Sequence, residues 1–285
     1  MPEPILGAST AADVARILDR NGIPNILFGY LALALVGKDM ESTDIGFVVN
    51  DGQVEDVRRV LAREMGMEAC SDSSCSELEV SRIEDIHSRL RYQPGLGPDD
   101  LKRVFAFDVE HPAAVLHFHI LGTQDPHYAL VSIHCQKDLL WWMDGPIQLQ
   151  QPAQDDRVLS LTTDNRLPTT HGCSGPWTGL YPIKILTQVA FAEASIRLAC
   201  RDYDHPSELL GCWLAFLIPL APHDPQIRTR ILPIFKEFWD FSQFRTTACE
   251  TKDETYVNLI EKLRREPEGL PGIEERLPSR GRPAL

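Results

Sequence analysis

Two histidines, His117 and His119, stand two apart in the stretch VLHFHIL. Alternate residues of a strand point to the same side, so their rings share one face. An acid, Asp44, opens a second such stretch, DIGFVV, with Gly46 and Val48 on its own face and Ile45, Phe47 and Val49 on the other. His-x-His with one carboxylate admits three readings. It could bind a borderline metal such as Zn²⁺ or Fe²⁺. One imidazole could act as general acid or base near neutral pH. Both could simply be hydrogen-bonded sheet residues. Among the functional readings, acid/base work at Asp44, His117 and His119 is preferred, with no metal and no cofactor expected.

Other side chains could contribute binding. Arg89 and Arg91, with Tyr92, form the best basic and aromatic cluster of the first half. In an acidic chain such a cluster can select an anion locally, or it can solvate a loop. Trp141, Trp142, Trp177 and Tyr181 fall near the junction of two halves, where aromatic residues build either an apolar ligand pocket or a core. His171, within TTHGC, could line the same cleft; His87 and His134 could reach it. His111, His127, His205 and His223 sit beside Pro or Asp and read as surface residues. The patterns G-x-S-x-G, G-x-x-x-x-G-K-[ST] and G-x-G-x-x-G do not occur, so hydrolase-elbow, P-loop and Rossmann readings fail.

The whole chain sets bounds on these readings. Its 285 residues are enough for one large domain or two small ones. Net charge is −13, against non-specific binding of nucleic acid or an anionic membrane. The opening MPEPILGAST has no basic region and no apolar run, which predicts no signal peptide and a cytoplasmic location. The longest apolar run, LLGCWLAFLIPLA from Leu209, is too short for a bilayer and contains Pro219. Seven cysteines, at 70, 75, 135, 173, 200, 212 and 249, form no C-x-x-C pair, and reduced thiols are expected. Cys70 and Cys75, in a polar loop, could pair under oxidation.

The elements that must position the candidates follow from periodicity. An amphipathic helix is expected from Ala11 after Ser9-Thr10, with Ala12, Val14, Ile17 and Leu18 inward and Asn21-Gly22 as its stop. A short strand Asn25 to Phe28, a buried helix Gly29 to Val36 and a strand Thr43 to Val49 come next. Gln53 to Glu64 reads as a second amphipathic helix, Arg103 to Asp108 and Val115 to Leu121 as strands, and Ala129 to Cys135 as one more. Asp155 to Tyr181 reads as irregular. Helices are expected over Ile183 to Arg201, Glu208 to Leu217, Ile227 to Phe244 and Lys252 to Arg265. The domains are then a mixed α/β part over 1–150, an irregular segment plus helical domain over 151–265, and a flexible tail over 266–285.

The stretch Ile26 to Asn50 resembles the divergent fungal nucleotidyltransferase-like proteins, whose signature runs roughly hGGxAhxxhGxxRxTxDIDFVV. Gly29, Ala32, Gly37, Thr43, Asp44, Ile45, Phe47, Val48 and Val49 match it. VLHFHIL resembles that family's strand VDIL, and GPWTGLYPIKILT its Gly-x-x-PVKI-x-T segment. The resemblance implies an α+β fold: a nucleotidyltransferase-like mixed sheet with flanking helices, then a helical C-terminal region closing a cleft. It implies that Asp44, His117 and His119 look into that cleft and that Lys184 lies near it, where it could meet an anionic group.

The departures from the family pattern bear on the reaction. The family's second carboxylate is Gly46, its third falls at His119, and its phosphate-binding turn carries Tyr30, whose bulk lies where a triphosphate would. One carboxylate of three cannot hold two Mg²⁺. The expectation is therefore a repurposed enzyme that performs isomerisation, cyclisation or elimination on an organic small molecule, in small-molecule biosynthesis. Tyr30, Lys184, Arg89, Arg91, Trp177, Tyr181 and His171 are the expected substrate-binding residues. The competing readings are a remnant Mg²⁺-dependent nucleotidyltransferase, drawing on Asp108 or Glu110, and a non-catalytic binding protein.

Overall fold

The computed structural model describes residues 7–37, 44–71, 75, 114–120, 130–168, 175–203, 209–220, 226–244, 254–265 and 270–271. The chain divides into two compact units that interleave in sequence rather than meeting at one boundary. One comprises 1–73, 114–194 and 219–231; the other comprises 74–113, 195–218 and 232–285.

The first unit is built on a mixed sheet of six described strands. They are β1 (Asn25–Phe28), β2 (Asp44–Val49), β3 (Leu116–His119), β4 (Leu130–Cys135), β5 (Leu159–Leu161) and β6 (Lys184–Leu186), in the order β3-β4-β2-β1-β6-β5. Every residue of β1 and β4 is buried, as suits strands with a neighbour on each side. β2 runs antiparallel to β1 and parallel to β4, and β6 runs parallel to β1. β3 and β5 are antiparallel to β4 and β6 and form the two rims among the described strands.

Helix α1 (Ala8–Arg20) buries Ala8, Ala11, Ala12, Val14, Ala15 and Leu18, a stripe three or four residues apart. It stops at Asn21 and Gly22, where a φ of 76° suits glycine. Helix α2 (Tyr30–Val36) is buried from Leu31 to Val36, as its unbroken apolar sequence demands. Helix α3 (Val54–Met65) packs beside α1 through Val57, Val60 and Leu61 and closes on Gly66 in the left-handed conformation. Phe28 stacks on Phe191 at 5.4 Å between ring centroids, fixing the end of β1 against a later helix.

Two expectations changed in this unit. Ile183 to Arg201 is not one helix: Lys184–Leu186 is strand β6, and helix α4 (Gln188–Asp202) begins after Thr187. Thr187 Oγ1 accepts from the Ala190 amide at 3.2 Å, an N-cap that starts the helix at that point. Leu159–Leu161, expected as irregular chain, is β5 and pairs with β6.

The second unit takes α4 from Ser195 onward, α5 (Leu209–Leu217), α6 (Lys236–Phe244) and α7 (Glu254–Arg264). Ile227 to Phe244 is not a continuous helix either. A single turn at Ile227–Arg230 ends before Pro233, which cannot continue an α-helical ladder, and α6 follows a 3₁₀ turn at Pro233–Phe235. Trp213 Nε1 donates to Asp202 at 2.8 Å, Arg264 Nε donates to the Cys200 carbonyl at 2.7 Å, and Arg197 lies 4.7 Å from the Phe235 ring centre. These contacts satisfy the polar end of α4 within an apolar surround. Among the described residues no helix is long and apolar enough to cross a membrane. The expected strand at 103–108, the loop at 89–99 and most of the tail lie outside the described residues.

Candidate functional site

The register of the sheet gathers the predicted polar residues on one face. Phe28 pairs with Gly46, Gly46 with Ser132, and Ser132 with His117. One step further along, Asp44 pairs with Leu130 and Leu130 with His119. Directly opposed residues share a face, so Asp44, Gly46, Ser132, His117 and His119 lie on the same side of the sheet. His134, opposite Val48, belongs to this face as well. His117, Ser132 and His134 are buried, while Asp44 and His119 are half-buried.

Ser132 Oγ donates to Asp44 Oδ1 at 2.7 Å, which orients the carboxylate from the neighbouring strand. Gly46 is closed against the backbone. A Cβ at this position would meet the Phe28 carbonyl oxygen at 2.9 Å, and Asp44 Oδ2 lies 3.9 Å from the same point. A second carboxylate therefore cannot stand here unless β1 or β2 shifts. Gly29, at φ 85°, makes the turn from β1 into α2, and Tyr30 is the first residue of that helix, half-buried.

His117 and His119 meet edge to face, with ring centroids 5.1 Å apart. They are joined by Cys70, a residue of the segment after α3 that the sequence did not connect with them. One ligand atom from each of Cys70, His117 and His119 lies within 4.8 Å of the other two. Cys70 is a half-buried thiol. The Cys70 amide donates to the His117 carbonyl at 2.9 Å, so the segment runs along the outer side of β3.

The other sequence-predicted residues are placed elsewhere. Lys184 is buried at the beginning of β6, with its Nζ 3.7 Å from Asp19 Oδ1. Tyr181 donates its hydroxyl to Asp19 Oδ2 at 2.9 Å, and Asn25 Nδ2 donates to Oδ1 at 3.0 Å. Burial pushes the Asp19 carboxyl up and the Lys184 ammonium down, so desolvation exceeds their attraction for each other. Burial, and then the bond to Asp19, push the Tyr181 hydroxyl up to about 12. These three residues and Asn25 make a polar cluster at the opposite end of β1 from Asp44. Trp177 is fully buried. Arg89, Arg91 and His171 lie outside the described residues, as do His87, Asp108 and Glu110.

Sequence reasoning also missed a cavity of about 500 Å³, lined by Arg157, Ser160, Asp164, Arg166, Thr187 and Arg230 among others. Thr187 follows β6, whose Ile185 is in register with Leu27. Thr187 and Asp44 thus belong to the same end of the sheet, where β1 and β6 finish, while Ser160 of the cavity, in register with Ile185 and through it with Leu27 and Phe47, stands on the face opposite Asp44. Hydrogen bonds from Arg166, then from Ser160, hold the Asp164 carboxyl down to about 2. Asp156 turns the chain into β5 by accepting from the amides of Val158 and Leu159 at 2.8 and 3.0 Å. That Asx turn was a readable signal for a strand start. No family model, curated protein or solved structure matches this chain.

Proposed function

We propose that the chain is an enzyme of nucleotidyltransferase-like descent whose cleft now takes an organic small molecule, with Asp44 as its general acid/base. The observation that carries this reading is the pairing of Gly46 with Phe28, which leaves no room for a second carboxylate beside Asp44. The Gly29 turn between β1 and α2, and Asp44 at the head of an adjoining antiparallel strand, support the descent. A lone carboxylate oriented by a neighbouring hydroxyl suits proton transfer better than two-metal phosphoryl chemistry.

An isomerisation or cyclisation fits such a group. The carboxylate takes a proton from one position of the substrate and returns it at another, so protons balance without a co-reactant. The proposed substrate lies against Asp44, at the end of the sheet where Tyr30 begins α2.

Calorimetry with nucleoside triphosphates and Mg²⁺ tests the reading, alongside a thermal-shift panel of carbonyl- and carboxylate-bearing organic molecules. The expected result is no Mg²⁺-dependent nucleotide binding, and stabilisation by organic ligands that weakens in Asp44→Asn. Mg²⁺-dependent nucleotide binding that disappears in Asp44→Ala overturns it in favour of a remnant nucleotidyltransferase.

A further inference from the structure

We propose that the cavity beside β5 is a second binding site, which takes a small organic monocarboxylate with an apolar body. Its Ser160 stands on the sheet face opposite Asp44, so the site is separate from the one proposed at that residue.

All the lining residues belong to the sheet unit. The volume of about 500 Å³ falls within the range of roughly 300–1,000 Å³ usual for small-molecule sites. The walls combine three guanidinium groups, of Arg157, Arg166 and Arg230, with the apolar side chains of Leu167, Pro168 and Val189. A ligand matching both would carry an acceptor group at one end and hydrocarbon at the other.

Two of the guanidinium groups are held in place by carboxylates of the fold. Arg157 Nη2 donates to Glu193 Oε1 at 2.5 Å. Glu193 is 2% exposed, and so buried a carboxylate needs its cation, which keeps Arg157 at the cavity wall. Arg166 gives Nε and Nη2 to Asp164, and Ser160 Oγ fixes Asp164 in turn. Among the described residues, Nε and Nη1 of Arg157 and Nη1 of Arg166 have no acceptor. The two groups are thus positioned in advance and still have N–H donors to give.

The acids around the cavity decide which anion suits it. Asp164 is spent on Arg166 and Ser160, and Asp156 on the amides of Val158 and Leu159. Asp155, also in the lining, is exposed. With Glu193 behind Arg157, these acids offset the three guanidinium charges. A lining so balanced repels a polyanion such as a triphosphate. Unspent donors on planar guanidinium groups suit a single carboxylate, whose two oxygens match their geometry. Gln188 and Val189, the first two residues of α4, add the positive end of the helix dipole.

Calorimetry and ligand-observed NMR of the full chain test the site with sodium benzoate, 3-phenylpropanoate and octanoate. The matching amides and inorganic phosphate are the controls. At least one carboxylate should bind with a dissociation constant of about 1 mM or tighter. Its amide, and phosphate, should bind at least about 10-fold more weakly. Arg166→Gln should weaken the carboxylate about 10-fold. So should Arg157→Gln combined with Glu193→Gln, a pair of changes that leaves no buried carboxylate without its cation. Asp44→Asn should leave the affinity within about twofold. Three outcomes overturn the proposal. One is that none of the three carboxylates binds below about 10 mM. Another is that amide and carboxylate bind equally. The third is binding lost in Asp44→Asn and kept in Arg166→Gln, which moves the ligand to the Asp44 face. The first two are read on the unmutated chain and decide the question even if the variants do not fold.

Discussion

Ser132 Oγ donates to Asp44 Oδ1 at 2.7 Å from the strand that lies parallel to β2. The pair joins two strands that the sequence separates by 88 positions. Ser132→Ala removes a hydrogen bond to a carboxylate in a half-buried setting and should cost about 1–2 kcal/mol of unfolding free energy. Asp44→Asn keeps an oxygen to accept the same bond and should change stability by less than about 1 kcal/mol. Urea denaturation of both variants checks the contrast. If it holds, any loss of ligand response in Asp44→Asn reports on chemistry rather than folding.

Placing a second carboxylate two residues after Asp44 should fail. In Gly46→Asp the new Cβ runs into the Phe28 carbonyl at 2.9 Å, and backbone cannot rotate away as a side chain can. The variant should lose about 2–3 kcal/mol and show no Mg²⁺-dependent triphosphate binding. Thermal denaturation and calorimetry give the two readouts, and a stable variant that binds Mg²⁺ and nucleotide refutes the packing argument.

The cluster around Asp19 should respond unequally to loss of either charge. Asp19→Ala leaves the buried Lys184 ammonium without its carboxylate and should cost about 3–5 kcal/mol. Lys184→Met fills a similar volume and leaves Asp19 bonded to Tyr181 and Asn25, so its cost should stay below about 1.5 kcal/mol. Equal costs in denaturant titrations would falsify the account of a desolvation-dominated pair.

Asp164 should shape the acid limb of stability. Its carboxyl is held down to about 2 by Arg166, against about 4 in an unfolded chain. A depressed carboxyl contributes stability that is complete above the unfolded value and is lost as pH falls through the folded one. The loss therefore falls between about pH 4 and pH 2, with an amplitude of about 1 kcal/mol once solvent screening at this half-buried position is allowed for. Asp164→Asn should flatten that part of the curve, measured by denaturation at a series of pH values.

Much of the sheet face was legible from the sequence because side chains alternate along a strand. Asp44 with Gly46, and His117 with His119, could be assigned to common faces from spacing alone, and α1 from the recurrence of its apolar residues. The partners across strands were not legible. Ser132 lies beside Asp44, and Cys70 beside His117, only because of pairings between segments far apart in sequence. The sequence reads Cys70 and Cys75 as reduced thiols that could pair under oxidation, and only the approach of β3 places imidazoles beside Cys70. Ile183 to Leu186 was ambiguous for a different reason. Four apolar-rich residues satisfy a strand or the first turn of a helix, and Thr187 as N-cap was the clue that separated them. Lys184 was expected beside an anionic substrate; its half-buried partner Asp19 belongs to α1, 165 positions earlier.

Among the described residues the strand order leaves β3 and β5 as the rims of the sheet, and rims are where a sheet can recruit a second copy of itself. β5 offers only three residues, too few to template another strand. At β3 the outward carbonyl of His117 is already taken by the Cys70 amide, and the neighbouring Val115 is 47% exposed. The segment that carries Cys70 therefore guards this edge against strand-to-strand association. Releasing it should reveal itself as light scattering on heating before any loss of helix signal.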